Sequence, residues 1–81
     1  MSNLDNLKAC FRDVLVLPTD ADTETLSYQK HPSWDSVAHM RLIAAIETTF
    51  DIIMETDELL GMDSFSKAKD ILTRHAISLD V

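Results

Sequence analysis

The chain has 81 residues, with 14 Asp and Glu against 7 Lys and Arg and a net charge of −7. That is room for one small domain, and the wrong sign for a surface that must neutralise phosphates, so nucleic-acid binding is not expected. No apolar run approaches the ~18 residues needed to cross a bilayer, and the single cysteine, Cys10, allows neither an internal disulfide nor a cysteine zinc site. The opening Met-Ser-Asn-Leu-Asp-Asn-Leu has no basic flank and no small-residue cleavage site, unlike a signal peptide. The expectation is a single domain over residues 1–81, cytoplasmic and without a membrane span.

One Gly and two Pro in the whole chain leave little to interrupt helices. Leu4, Leu7, Phe11, Val14 and Leu15 recur on one helical stripe. Pro18 is expected to end it, because the residue before a proline is pushed out of the α region. Residues 18–35 hold both prolines and no sustained period, which predicts a long loop with one turn of helix near Glu24–Tyr28. Loops of this length in small domains are functional or disordered. A second helix is predicted over Ser36–Phe50, with Ser36 as its N-cap and Asp35 just ahead. Leu42, Ile46, Phe50, Ile43, Met40, Ala44 and Val37 fill an apolar arc of about 220° on it, which implies a central helix covered on more than one side. A short third helix over Thr56–Leu60 depends on burying Leu59 and Leu60, and Gly61 suits the left-handed position that ends it. The last helix begins at Asp63 or Ser64 and carries Phe65, Ala68, Ile71 and Leu72 at helical spacing, with Arg74 and His75 favourably placed near its C-terminus. The predicted architecture is all-α: a small four-helix bundle of three main helices and one short helix, with a long first loop.

The informative stretch is Trp34-Asp35-Ser36-Val37, followed in step by Leu42, Ile43, Ile46, Glu47, Phe50 and Ile52. It resembles the attachment region of acyl carrier proteins, in which Asp-Ser-Leu opens a helix that continues through apolar residues and Glu to Phe-Gly-Ile. The resemblance extends over nearly the whole chain in length, long first loop, short third helix and acidic balance, as expected for a stand-alone carrier. It implies that Ser36, beside Asp35, is esterified with 4′-phosphopantetheine from coenzyme A by a separate phosphopantetheinyl transferase using Mg²⁺. The arm's thiol would then hold an acyl group as a thioester for acyl-loading and acyl-transferring enzymes. The resemblance also implies a docking face that includes Val37, Arg41, Glu47, Asp57 and Glu58, a monomer, and no catalytic or metal site of the chain's own. A serine at the opening of a helix suits the modification, because an anionic phosphodiester there meets the positive end of the helix dipole. The plain alternative for Ser36 is an N-cap and nothing more. Asp63-Ser64 repeats the dipeptide without the long apolar helix and reads as a cap of the last helix.

Several departures narrow the expectation. The family's central helix is usually studded with acids, whereas Ala38, His39, Arg41, Thr48 and Thr49 stand here and leave Glu47 alone. That points to a dedicated carrier in a specialised biosynthetic pathway. Val37 replaces the usual Leu and Asp51 the usual Gly, and Asp tolerates the left-handed region better than most residues. Six acids and no base lie between Leu42 and Ser66, either as a solvated face or as a docking field for basic partners. Trp34 reads as packing of the loop, with a wall beside the arm as its functional alternative. His39 reads as a partly exposed packing histidine, Cys10 as a small core residue, and Met40, Met54 and Met62 as core. His31, His39 and His75 show no metal spacing. Asp20, Asp22 and Glu24 mimic the start of a calcium loop that then fails, with Thr25 where Gly is needed and His31 where Glu should stand. Residues 18–35 and 51–63 are expected to be less stable than the central helix. Two other functions remain open: an aminoacyl or peptidyl carrier of the D-alanyl kind on the same scaffold, and a small acidic helical adaptor without cofactor.

Overall fold

The structure, a computed structural model, describes residues 2–18, 22–28, 30 and 32–79. It contains four helices among them: α1 (Asn3–Leu15), α2 (Ser36–Phe50), α3 (Thr56–Gly61) and α4 (Phe65–Arg74). The all-α bundle with one short helix and a long first loop is as expected. None of the helices among the described residues is long and apolar enough to cross a membrane.

Polar side chains start the three longer helices. Ser2, Asp35 and Ser64 accept hydrogen bonds from the amides of Asp5, Ala38 and Lys67, each satisfying one of the donors a first turn leaves unpaired. The repeated Asp63-Ser64 is therefore a cap, as read from the sequence. At the other end α1 stops at Val16, which adopts a left-handed φ of 55° while Leu17 N–H reaches back to Arg12 O at 2.9 Å. The helix has already turned before Pro18, so the proline follows the stop and does not cause it. Asp51 ends α2 in the same way, with φ 53° and Ile52 N–H donating to Glu47 O. Gly61 does not play that part. It is the last residue of α3 and its φ is not positive; α3 ends at Met62 in another conformation.

The core centres on Phe11 of α1. Its ring meets Trp34 edge-on at 5.4 Å and Phe65 of α4 at 4.9 Å, and Leu7, Leu15, Leu42, Ile46, Met62 and Leu72 close around it, all but solvent-free. On α2 the buried residues are His39, Leu42, Ile43 and Ile46, which with half-buried Phe50 span an arc of about 100°. The 220° expectation was too wide. Val37, Met40 and Ala44 face solvent, because a chain this small has no further element to cover the helix's outer side. Met40 is thus surface, whereas Met54 and Met62 are core.

The long loop is anchored at several points. Thr23–Leu26 forms a turn and no helix, with Asp22 Oδ1 accepting from Glu24 N–H at 3.0 Å. Ser27 and Ser64 form an isolated antiparallel bridge, flanked by Tyr28 N–H to Asp63 O at 2.7 Å. Lys69 pairs with Glu24 at 2.7 Å, and Leu26 and Trp34 are buried. Residues 19–21, 29 and 31 lie outside the described residues, which removes Asp20 and His31 from any structural account.

Candidate functional site

Asp35, and not Ser36, caps α2. Its backbone is extended, its Oδ1 accepts from Ala38 N–H at 2.9 Å, and its carbonyl accepts the first helical bond from His39 N–H at 2.8 Å. A carboxylate is the stronger acceptor and adds favourable charge at the positive end of the helix. This corrects the expected cap and has a consequence. Ser36 becomes the first helical residue, exposed, and its hydroxyl makes no hydrogen bond among the described residues.

The face that continues from Ser36 along α2 is apolar and open. Val37 is 61% and Met40 57% exposed, and Arg41 and Ala44 are exposed beside them. Leu60 on α3 and Ile53 in the α2–α3 connection are also exposed, at 74% and 83%. The expectation that α3 needs Leu60 buried is thus overturned, and even Leu59 is only half-buried. Among the described residues α3 has no fully buried side chain.

Behind Ser36 lies a polar chain that the sequence pattern does not reveal. Trp34 is wholly buried, and its indole Nε1–H donates to His39 Nδ1 at 3.1 Å. Indole N–H can only donate, so Nδ1 accepts and the imidazole hydrogen sits on Nε2. Nε2 lies 2.8 Å from Leu59 O of α3 and donates to it. Tyr28 stacks on the same imidazole, centroids 5.1 Å apart and planes 20° apart. His39 is therefore a buried bridge between the first loop, α2 and α3. The packing reading of Trp34 holds. The one sequence signal for His39 was its place on the buried stripe of α2, one turn after Ser36.

The acids divide into engaged and free. Glu47 Oε2 accepts from Met54 N–H at 2.8 Å and ties down the connection after α2. Glu58 Oε1 accepts from Glu55 N–H and lies 2.9 Å from His75 Nε2. The Glu55 amide first, and the His75 imidazole second, hold its carboxyl below the ordinary value of 4.5. Asp57 is exposed. Of the expected docking residues, Val37, Arg41 and Asp57 thus present themselves to solvent, while Glu47 and Glu58 serve the fold. Cys10 is buried against Thr49 Oγ1 at 3.4 Å, and burial pushes its thiol above the ordinary value, which makes it a poor nucleophile. No group of three His, Cys, Asp or Glu among the described residues is placed to hold a metal.

No family model, curated protein or solved structure matches the chain.

Proposed function

We propose that the chain is a carrier of the acyl carrier protein kind, in which Ser36 bears a 4′-phosphopantetheine arm and presents an acyl thioester to partner enzymes. The observation that carries this reading is the position of Ser36. Its hydroxyl is exposed at the first residue of a fifteen-residue helix, released from capping by Asp35. A modifying enzyme can therefore reach it without unfolding the helix. The phosphodiester so formed would sit over the first turn, where the dipole favours an anion. The open apolar strip of Val37, Met40 and Ala44 beside it, with Arg41 at its margin, supplies a surface for the loading and transferring enzymes, and exposed Asp57 on α3 adds a separate acidic contact. The chain itself makes and breaks no bonds in this scheme. The departures on α2 favour a specialised partner set over a general one.

Incubation of the protein with coenzyme A, Mg²⁺ and a broad-specificity phosphopantetheinyl transferase should add one phosphopantetheine by intact mass. Ser36→Ala should abolish the addition and Ser64→Ala should leave it intact. An unchanged mass for the folded wild-type chain would leave the cofactor-free adaptor as the better reading.

A further inference from the structure

We propose that α3 is a conditional helix whose order is coupled, through His39, to the seating of Trp34 two residues before Ser36. Six residues are too few to hold a helix in water by themselves, and α3 has no buried side chain with which to compensate. The Glu55–Glu58 capping box and half-buried Leu59 supply part of its order, and the rest must come from outside. The last carbonyls of any helix lack an intrahelical partner. Leu59 O is one of them, and the amide that could have closed on it, Asp63 N–H, goes to Gly61 O at 2.9 Å instead. The missing donor is His39 Nε2–H. An imidazole on a neighbouring helix thus completes the C-terminal turn of α3.

That imidazole is set from its other side. The indole of Trp34 occupies Nδ1 and so keeps the hydrogen on Nε2, facing Leu59. Tyr28 covers one ring face. If α3 lifts away, a buried Nε2–H loses its acceptor. If Trp34 swings out, Nδ1 loses its donor and the ring is no longer held with Nε2 toward α3. Each end therefore holds the shared imidazole in the tautomer and orientation that the other end bonds to, which gives the two ends a common element through which to couple. The second tether of α3, Glu58 to His75, leads to α4 and does not reach the Ser36 segment. The coupling stands on this geometry alone. Its consequence rests on the function proposed above: a partner that displaces α3 would loosen the Trp34-Asp35 segment that leads into Ser36, and so regulate presentation of the arm.

Amide hydrogen exchange on the full chain tests the coupling in both directions. Trp34→Phe keeps an aromatic ring against Phe11 and removes the donor together with part of the buried indole volume, so its effect is scored against the core amides, which report the lost packing. It should speed exchange in α3 by about tenfold, the weight of one net hydrogen bond, relative to the core amides of α1 and α2. Leu60→Gly weakens α3 at an exposed side chain, so the core and the fold are kept even if Trp34→Phe fails to fold. It should speed exchange of the Trp34 indole N–H several-fold. Acceleration only in step with all other amides, or an unmoved indole N–H in Leu60→Gly, would overturn the proposal. The mass assay on Ser36 is scored separately, so a chain that exchanges as described yet takes no phosphopantetheine refutes the carrier reading and leaves the coupling standing.

Discussion

α2 and α3 are linked through His39 and Leu59, yet they are attached to the fold by opposite means. α2 is held by what it inserts: Leu42, Ile43, Ile46 and His39 are all buried. α3 is held by what it receives: a donor on Leu59 O from His39, an imidazole on Glu58 from His75, and buried Met54 and Met62 on either side of it in the chain. Hydrophobic attachment is proportional to area and survives small shifts, whereas hydrogen-bonded attachment depends on distance and angle and is lost at once when either partner moves. The helix bearing the candidate attachment serine is thus the rigid one, and its short neighbour is the one free to respond.

Three measurements would break or sharpen this contrast. The largest effect belongs to α2. Leu42→Ala removes a wholly buried side chain and should cost about 2–5 kcal/mol in denaturant unfolding. The matching change on α3, Leu60→Ala at a 74% exposed position, should stay within about 0.5 kcal/mol. Equal costs would abolish the distinction between the two helices.

A smaller effect of opposite sign is expected at Gly61. It is the last residue of α3 and has no positive φ, and an added Cβ would meet nothing within 4 Å. Gly61→Ala should therefore stabilise α3 by up to about 1 kcal/mol through helix propensity, read as slower amide exchange in that helix. A loss of stability would show that the turn after α3 needs glycine after all.

The smallest effect is in acid. Glu58 is held below 4.5 by the Glu55 amide and His75. A carboxyl depressed on folding binds fewer protons folded than unfolded. Its contribution is complete above 4.5 and is lost as pH falls through the lower folded value. Glu58→Gln should flatten the acid limb of the stability profile in that window, and an unchanged limb would show that neither the Glu55 amide nor the His75 tether stabilises the fold through this carboxylate.

The helices were legible because their signals are local. Spacing of three and four placed α1 and α4, and the apolar run from Val37 to Phe50 placed α2 to its last residue. Ser64 was legible as a cap because a hydroxyl before a helical run has few other uses. The structure departs from the sequence expectation where two local signals compete or where burial depends on a second element. Asp35 and Ser36 are both good caps, and only the backbone shows which side chain meets the Ala38 amide. Val37, Met40 and Leu60 are apolar, yet apolar character does not say whether another element exists to cover them. The partners of His39 and Glu47, Leu59 O and Met54 N–H, are backbone groups that carry no sequence signature.

By itself the amino-acid sequence determined the number and order of the helices, the acidic charge and the candidate serine, all of which depend on neighbours within a turn or two. The tertiary structure decided that the outer face of α2 is bare and that α3 is supported by an imidazole twenty residues away. Those outcomes depend on which surfaces meet, and burial and long-range hydrogen bonds are settled only when the chain has closed on itself.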